Sequence, residues 1–340
     1  MATQSASRPT PERIFGTLSA YQQTFALKGA IELDLFTKIG EGFDQPAAIA
    51  KSIGAAERGV RILCDYLTIQ GFLKKENGKY ALTQESATFL DKRSPAYMGS
   101  IAQFLTHEDN QRNFKALAEA VRKGGSIHAS GDNTKPNDEF WVKFAESMAP
   151  MTLPAATFIA KLVDAPAGKP MRVLDIAAGH GMYGITIAKQ NPNARVTAVD
   201  WPAVLEVAKR NAEKAGVSDR YAVRPGSAFD SDLGQGYDYA LLTNILHHFD
   251  PSACETLLRR VHSCLKPGGK AITLEFVPNP DRVSPPMAAA FSLVMLANTD
   301  SGEAYTFAEY ETMLRNAGFA KPSLHAVQDM PQQVVVAEKP

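Results

Sequence analysis

The chain has 340 residues, a length that predicts about two folded domains. Of these residues 45% are hydrophobic and 21% charged, a composition that excludes a disordered polypeptide. Lys plus Arg equals Asp plus Glu at 36 each, and this balance argues against the sequence-independent phosphate binding of a basic protein. The three cysteines, Cys64, Cys254 and Cys264, predict no disulfide framework. The sequence shows no apolar leader and no run of about 18 apolar residues, so we expect a cytoplasmic protein that does not enter a membrane.

The first part of the chain predicts a small helical domain with a β-hairpin wing. Apolar residues at 12–39 cover more than one face of a helix interrupted around 28–29, which predicts burial on several sides, in part by a second subunit. The next elements are a helix, a second helix and a hairpin with an Asn77-Gly78 turn, at residues 46–53, 57–70 and 72–82. This order is typical of a winged helix, so residues 1–95 are predicted to form a winged-helix-like domain.

Winged helices often bind DNA, and the charge of this region bears on that possibility. Residues 51–80 carry six basic and three acidic side chains, an excess that is common on any solvated face. An architectural role is therefore favoured and no nucleic-acid partner is predicted. A ligand-sensing DNA-binding regulator stays open as an alternative.

Residues 95–165 predict two or three further helices with a polar break at 124–137, residues 166–170 read as a linker, and together they define a part bounded as 96–168. We expect this part to be a helical connector that contributes to a substrate pocket. The side chains predicted to line that pocket are Phe104, His107, Trp141 and Met148. Each of them also fits a packing role, because aromatic stripes at helical spacing are more often core.

A strand–turn–helix–strand unit at 171–201 predicts a nucleoside site. The first strand ends at Asp175, and a turn containing Gly179 and Gly181 leads into a helix, so the two glycines would let a ligand approach the backbone. The second strand ends at Asp200, where a carboxylate can accept both hydroxyls of a ribose. Trp201 follows directly and is predicted to lie against the base.

The glycine spacing also fits an NAD-binding fingerprint, and an NAD-dependent oxidoreductase stays open as an alternative. Asp175 favours a different nucleoside, because a carboxylate before the turn would repel a pyrophosphate but suits a ligand with ammonium and sulfonium charge. That ligand is S-adenosylmethionine. The segment resembles the first motif of class I methyltransferases, with Ala177 in place of its first glycine.

From residue 169 to 340, strands and helices alternate, which predicts an α/β domain with a doubly wound, Rossmann-like parallel sheet. Ligands of such sheets bind beyond the carboxyl ends of the strands. The residues expected on this rim are Asp175, Asp200, Phe229, Asn244 to His247, and Glu275.

The segment 243–250, T-N-I-L-H-H-F-D, and a glutamate 28 residues after its first histidine resemble the plant-type O-methyltransferases. That family includes caffeate and acetylserotonin methylating enzymes and bacterial polyketide-tailoring relatives. The resemblance implies that His247 is the catalytic base and Glu275 its partner. It also implies a second catalytic carboxylate, Glu303, although one residue is inserted nearby. Residues after 12 resemble the dimerisation domain of the same family, which implies a homodimer.

Several positions depart from the family pattern. Ser227 stands where an adenine-reading aspartate is common, and Thr243 replaces a lysine, whereas Ala228 and Phe229 still belong to the predicted cofactor site together with Asn244. The residues Met287, Phe291 and Met295 recur every four positions and are predicted to close over an aromatic acceptor, although packing fits them equally well. No metal site is predicted.

The chemistry of the acceptor explains why a histidine and a carboxylate belong together here. A phenolic hydroxyl has a pKa of about 10 and is a poor nucleophile at neutral pH unless a base takes its proton. A carboxylate on the other ring nitrogen fixes the tautomer and stabilises the imidazolium. We therefore predict an S-adenosylmethionine-dependent methyltransferase acting on a hydroxyl of a small aromatic or polyketide-like molecule. Transfer to carbon, nitrogen or sulfur stays open as the alternative.

Overall fold

The computed structural model describes residues 9–128 and 138–340, apart from the side chains of residues 138–140 and 150. The described chain falls into two compact units that divide between Thr106 and His107. The boundaries after residues 95 and 168 that the sequence suggests stay predictions.

The N-terminal unit is helical and contains one hairpin. Its elements are α1 (Glu12–Ser19), α2 (Tyr21–Glu32), α3 (Leu35–Gly40), α4 (Pro46–Ile53), α5 (Glu57–Ile69), β1 (Leu73–Glu76), β2 (Lys79–Leu82), α6 (Gln84–Phe89) and α7 (Ile101–Leu105). The hairpin turns at Asn77 and Gly78, whose φ angles of 50° and 77° are those a two-residue turn of this type requires. The predicted helix, helix and wing are confirmed.

One expectation for residues 12–39 is wrong, and the expected burial by a second subunit stays a prediction. The helix is not interrupted at Gly29, which lies inside α2 with open space where a Cβ would be. The chain breaks instead at Ala20 and at Leu33–Asp34, where Asp34 adopts φ 55°, a conformation that aspartate tolerates better than most residues. In addition, α1 has no buried residue.

The core of the N-terminal unit is built by the helices after that break. Buried side chains from α3, α4 and α5 pack with the first residue of the wing and with Tyr80. By contrast, apolar side chains of α1 and α2 stand in solvent, with Ile14, Phe15 and Leu18 exposed by 63%, 65% and 72%. α1 therefore contributes no buried residue to this core, whereas α2 contributes Ala30, with Leu27 and Ile31 packed against it.

The second unit begins with helices and continues as an alternating α/β domain. Its helices are α8 (Glu108–Lys115), α9 (Leu117–Lys123), α10 (Asp138–Met148), α11 (Leu153–Leu162), α12 (Met182–Gln190), α13 (Pro202–Lys214), α14 (Pro251–Cys264), α15 (Pro286–Asn298) and α16 (Phe307–Asn316). Its strands are β3 (Met171–Ile176), β4 (Ala194–Asp200), β5 (Tyr221–Pro225), β6 (Tyr237–Thr243), β7 (Leu265–Phe276), β8 (Ala320–Ala326) and β9 (Gln332–Glu338). The described part of 95–165 holds more helices than the two or three predicted, because α8 and α9 are separate short helices.

These strands form one sheet in the order β5-β4-β3-β6-β7-β9-β8. The first five are parallel, and β9 and β8 close one edge in antiparallel pairing. Two buried clusters cover the two faces, one around α11 and α12 and the other around α14 and α16. The predicted doubly wound sheet is confirmed, and the antiparallel edge is an addition.

Residues 266–269 lie within the range of β7, where its pairing with β6 is irregular between Tyr237 and Tyr239. Gly268 has φ 76° there, and its N–H donates to the Lys339 carbonyl at 2.8 Å. The start of β7 is therefore held by the end of the chain.

The strand order reverses between β3 and β6, which makes a crevice at the carboxyl ends of these two neighbours. Asp175 lies near the end of β3, Asp200 ends β4, Asn244 follows β6 and Glu275 lies near the end of β7. The side chains predicted for the rim are thus placed on adjacent parallel strands. Within the described ranges, no helix is long and apolar enough to cross a membrane.

Candidate active site

The two glycines in the turn after β3, Gly179 and Gly181, have different structural roles. Ala177, Gly179 and Gly181 all have left-handed backbones, with φ of 51°, 56° and 73°. A Cβ on Gly179 would meet only the Ala177 carbonyl, at 4.0 Å, so the space over Gly179 is open to a ligand. A Cβ on Gly181 would overlap the Tyr221 hydroxyl. Gly179 therefore provides the access that the sequence predicts, whereas Gly181 is required by packing.

Asp200 is held by the turn that it faces. The Gly179 N–H donates to Asp200 Oδ2 at 2.8 Å, and the Trp201 N–H donates to Oδ1 at 2.7 Å. Burial raises the pKa of Asp200 to about 6. Each carboxylate oxygen keeps a further lone pair, so the group can accept two more hydrogen bonds from a diol.

Trp201 begins α13 and packs with α10. It is half-buried against a small cluster that contains Trp141 together with Ala145, Val204 and Val207. The ring of Trp201 thus joins the cofactor turn to α10. Its predicted contact with the adenine ring of the cofactor stays a prediction.

Asp175 is completely buried and only partly hydrogen-bonded. The Gly184 N–H donates to its Oδ2 at 3.2 Å, while Oδ1 has no partner among the described residues. Burial raises the pKa of Asp175 to about 8. A buried carboxyl group with one free oxygen suits a cationic ligand, because opposite charge favours its ionised form.

Gly184 has a role that sequence reasoning missed. A Cβ at this position would lie 2.7 Å from Val196 Cγ1 and 2.9 Å from Asp175 Oδ2. Only glycine therefore lets α12 sit this close to β3 and β4. The sequence signal for this role is that Gly184 is the third glycine of the G-x-G-x-x-G pattern that begins at Gly179.

The loop that follows β5 contains Phe229, and its polar groups form hydrogen bonds within the loop and with Arg260. Ser227 Oγ accepts from the Phe229 N–H at 3.1 Å, and the Ala228 carbonyl accepts from Arg260 Nε at 3.1 Å. The Phe229 ring meets Phe249 edge-on at 4.9 Å. These three predicted cofactor residues form a half-buried wall that leads toward the turn after β6.

The turn after β6 is pinned from several sides. The Asn244 N–H donates to the Leu274 carbonyl at 2.8 Å, and Asn244 itself has a left-handed φ of 55°. A short 3₁₀ turn, Leu246–His248, follows. Cys254 Sγ donates to the Leu246 carbonyl at 3.1 Å. Asp250 then caps α14 by accepting from the Ala253 N–H at 2.9 Å.

His247 and Glu275 form a buried pair at the centre of this turn. Glu275 is fully buried, and its Oε1 accepts from the N–H groups of Ile245 and Leu246 at 3.0 and 2.8 Å. Its Oε2 accepts a hydrogen bond from His247 Nδ1. With Nδ1 protonated, the neutral ring presents a lone pair at Nε2. This geometry would allow His247 to act as a general base, as the sequence predicts.

Aromatic rings surround His247. Phe291 of α15 meets His247 edge-on at 4.9 Å and stacks on Phe276 at 3.8 Å. On another side, His248 lies 4.5 Å from His247 and is met edge-on by Trp141 at 5.6 Å. Two of the predicted pocket residues, Phe291 and Trp141, are thus next to the turn that holds the base.

The other predicted pocket residues lie on several different elements. Met295 is buried in α15, and Met287 at the start of that helix is 70% exposed. Met148 ends α10 and is half-buried. His107 begins α8, where its Nδ1 accepts from the Asp109 N–H at 3.3 Å. Phe104 belongs to the N-terminal unit.

Glu303 is engaged elsewhere. Arg282 donates to Glu303 Oε1 and to Glu309 Oε1, each at 2.6 Å, and Arg282 and Glu303 are both 44% exposed. No described hydrogen bond joins Glu303 to His247, so the structure does not place it as a second carboxylate on the base.

The segment around Glu303 supports the catalytic turn through two neighbours that sequence reasoning missed. A Cβ on Gly302 would overlap the His247 carbonyl oxygen, so this glycine permits close packing. Tyr305 is buried, and its hydroxyl donates to the Phe249 carbonyl at 2.6 Å. No spacing or motif pointed to either residue.

Comparison with known proteins identifies the family of the chain. Residues 15–92 match the O-methyltransferase dimerisation domain, and residues 114–320 match the O-methyltransferase domain. The chain is 29% identical to the 3-hydroxy-5-methyl-1-naphthoate 3-O-methyltransferase of Streptomyces sahachiroi, over 96% of this chain and 98% of that protein. It is 26% identical to the L-tyrosine C(3)-methyltransferase of Streptomyces lavendulae, over 96% and 91%.

Solved structures give the same result. A candidate O-methyltransferase from Nostoc punctiforme superposes with a TM-score of 0.94 at 48% identity, over 97% of this chain and all of that one. Structures of the same fold include complexes with S-adenosylmethionine and with S-adenosylhomocysteine. The family profile alone covers more than half of the sequence, and the chain belongs to the S-adenosylmethionine-dependent O-methyltransferase family.

Proposed function

We propose that this enzyme methylates a hydroxyl of a small aromatic or polyketide-like acceptor, with His247 as the general base. The observation that carries this proposal is the buried pair of His247 and Glu275, set beside the rim where the cofactor binds. A base with a fixed tautomer has a use only if a proton must leave the acceptor.

The residues of the rim fit the cofactor. Gly179 leaves open space over the turn, and Asp200 can accept two further hydrogen bonds from the ribose. Asp175 and Asn244 each hold a buried side-chain oxygen without a partner among the described residues. S-adenosylmethionine, when bound there, supplies an electrophilic methyl group on a sulfonium.

The protein's own groups then perform the following tasks. His247 Nε2 accepts the proton of the acceptor hydroxyl, which raises the nucleophilicity of its oxygen. Glu275 keeps Nδ1 protonated beforehand and stabilises the imidazolium afterwards. Phe291 and Trp141 provide apolar ring surface beside this base, which favours a flat acceptor and excludes water.

The aromatic class of acceptor has independent support. The Streptomyces sahachiroi relative is named for a hydroxynaphthoate, a flat molecule with a phenolic hydroxyl, and it aligns along nearly the whole chain. The Streptomyces lavendulae relative is named for methylation of a ring carbon of tyrosine, and it keeps transfer to carbon as the second candidate.

The deciding experiment is a panel of phenols, naphthols and hydroxyquinones incubated with the enzyme and labelled S-adenosylmethionine. Label should enter at least one hydroxylated ring compound, and the product's NMR spectrum should show an O-methyl signal. His247→Ala should lose at least about 100-fold in kcat. A C-methyl product would favour the second candidate, and full activity of His247→Ala would remove the base from the mechanism.

The N-terminal unit is proposed to form a homodimer. Its match to the dimerisation domain supports this, as do the exposed apolar side chains of α1 and α2. Leu18→Glu should shift the protein from dimer to monomer in light scattering, whereas Lys51→Glu on the exposed surface of α4 should not. A monomeric wild-type enzyme would contradict this part of the proposal.

A further inference from the structure

Tyr183 is the second residue of α12, and its hydroxyl has no role in the account above. The ring is only 3% exposed, which places the hydroxyl inside the protein rather than in solvent. Its position is set by Gly184, whose lack of a side chain seats α12 closely against the sheet. Asn244 Nδ2 donates to the Tyr183 hydroxyl oxygen at 3.5 Å, the long limit for a hydrogen bond.

This contact connects the cofactor turn with the catalytic turn. Tyr183 belongs to the helix that follows β3, while Asn244 follows β6, three residues before the base. The backbone of Asn244 is fixed by its bond to the Leu274 carbonyl, and the structure directs its Nδ2 to the Tyr183 hydroxyl. With Nδ2 directed to Tyr183, the amide oxygen must point away from it.

That amide oxygen is buried and has no partner among the described residues. Asp175 Oδ1 is in the same condition on the neighbouring strand, where Ile176 pairs with Leu242. With Asp175 ionised, both atoms are acceptors, and buried acceptors without donors are rare in folded proteins. A donor-rich cation bound at these two strand ends would supply the missing donors.

The orientation of the cofactor identifies that cation. Asp200 on β4 takes the ribose, and the transferred methyl must face His247 after β6. The amino-acid end of the cofactor then lies between them, near β3 and β6. Its ammonium group has three N–H donors, whereas its carboxylate would be repelled by Asp175.

We propose that Tyr183 is a positioning residue for cofactor binding, whose hydroxyl holds the Asn244 amide so that its oxygen receives the ammonium group of S-adenosylmethionine. The inference rests on S-adenosylmethionine as the cofactor and is independent of the acceptor. Tyr183 acts through Asn244, and it takes no part in proton transfer.

The test is the binding of three ligands to Tyr183→Phe by titration calorimetry. S-adenosylhomocysteine has the ammonium and the carboxylate, its decarboxylated analogue has the ammonium alone, and methylthioadenosine has neither. The variant should bind the first two about tenfold more weakly and methylthioadenosine within about twofold of wild type, since one charge-assisted bond is weakened. Asn244→Ala should show the same selectivity, and adding Tyr183→Phe to it should cause no further loss.

Tyr237→Phe is the matched control, because it removes a buried hydroxyl bond, to the Leu233 carbonyl at 2.9 Å, at the opposite end of the sheet. It should leave all three affinities unchanged. Equal losses for all three ligands in Tyr183→Phe, or none, would overturn the proposal, and a loss confined to S-adenosylhomocysteine would assign the contact to the carboxylate instead. Wild-type protein that binds none of the three ligands would overturn the cofactor assignment itself.

Discussion

Asp175 and Glu275 are two fully buried carboxyl groups near the ends of strands in the same sheet, and they differ in how many hydrogen bonds they receive from the protein. Glu275 receives three hydrogen bonds from its own chain, two from backbone N–H groups and one from His247. Asp175 receives one, and its second oxygen has no partner among the described residues. The chain satisfies the carboxyl group beside His247 with its own donors and leaves one oxygen of Asp175 able to accept a donor from a ligand.

The largest expected effect comes from removing the charge of Glu275. In Glu275→Gln the amide can still accept from the two backbone N–H groups, but its NH₂ donates to Nδ1 and moves the ring proton to Nε2. We expect kcat to fall roughly 100- to 1,000-fold with the affinity for S-adenosylhomocysteine unchanged, measured by initial rates and calorimetry. A comparable loss of cofactor affinity would show that the two carboxyl groups are not separate in function.

The complementary change is Asp175→Asn, which should act on binding rather than on the base. The amide can still accept from the Gly184 N–H, but it offers no negative charge to a cation. We expect S-adenosylhomocysteine to bind at least about tenfold more weakly, with kcat at saturating cofactor within a few-fold of wild type. Unchanged affinity would contradict the assignment of Asp175 to the cofactor site.

The same group predicts a pH dependence of stability. Burial raises the pKa of Asp175 to about 8, well above its value of about 3.9 in an unfolded chain. The folded state therefore binds a proton that the unfolded state has released, so the free energy of unfolding falls as pH rises toward 8. Between pH 6.5 and 8, Asp200 contributes little, because its pKa is about 6. Burial lowers the pKa values of His180 and His248, and these groups oppose the trend up to about pH 7. The test is therefore the difference between the two proteins: relative to Asp175→Asn, ligand-free wild type should lose thermal stability as the pH rises from about 7 to 8.

A smaller effect is expected at Tyr305, which supports the turn that carries the base. Tyr305→Phe removes the hydroxyl bond to the Phe249 carbonyl and should cost about 1 kcal/mol of stability. Because the catalytic turn loses one support, kcat should fall about three- to tenfold while cofactor affinity stays unchanged. Tyr237→Phe should lose similar stability without the loss in kcat, and equal rates in the two variants would limit Tyr305 to packing.

The smallest effect is expected at Glu303, where the family resemblance implied a second catalytic carboxylate. Its partner is Arg282, and an ion pair this exposed contributes about 0–1 kcal/mol. Glu303→Gln should leave kcat within about twofold of wild type. A fall in kcat approaching that of Glu275→Gln would restore Glu303 to the catalytic group.

The rim was predictable because its residues follow apolar runs, so that Asp175, Asp200 and Glu275 could be assigned to strand ends from local pattern alone. Glu303 was harder, because its ion pair depends on where two irregular loops meet, and no pattern encodes that meeting. The helix break at Asp34 was also missed, since Gly29 is the stronger breaker by propensity but lies at a helical position with open space around it.

The N–H groups of Ile245 and Leu246 donate to the same carboxyl group that accepts from His247. Glu275 therefore holds both the backbone of the turn and the imidazole ring, and we expect a substitution there to disturb folding and the orientation of the ring together. The ring of Phe291, by contrast, meets His247 edge-on through a ring contact. We therefore expect substitutions of Phe291 to change the shape of the acceptor pocket while the hydrogen bonds of Glu275 stay in place.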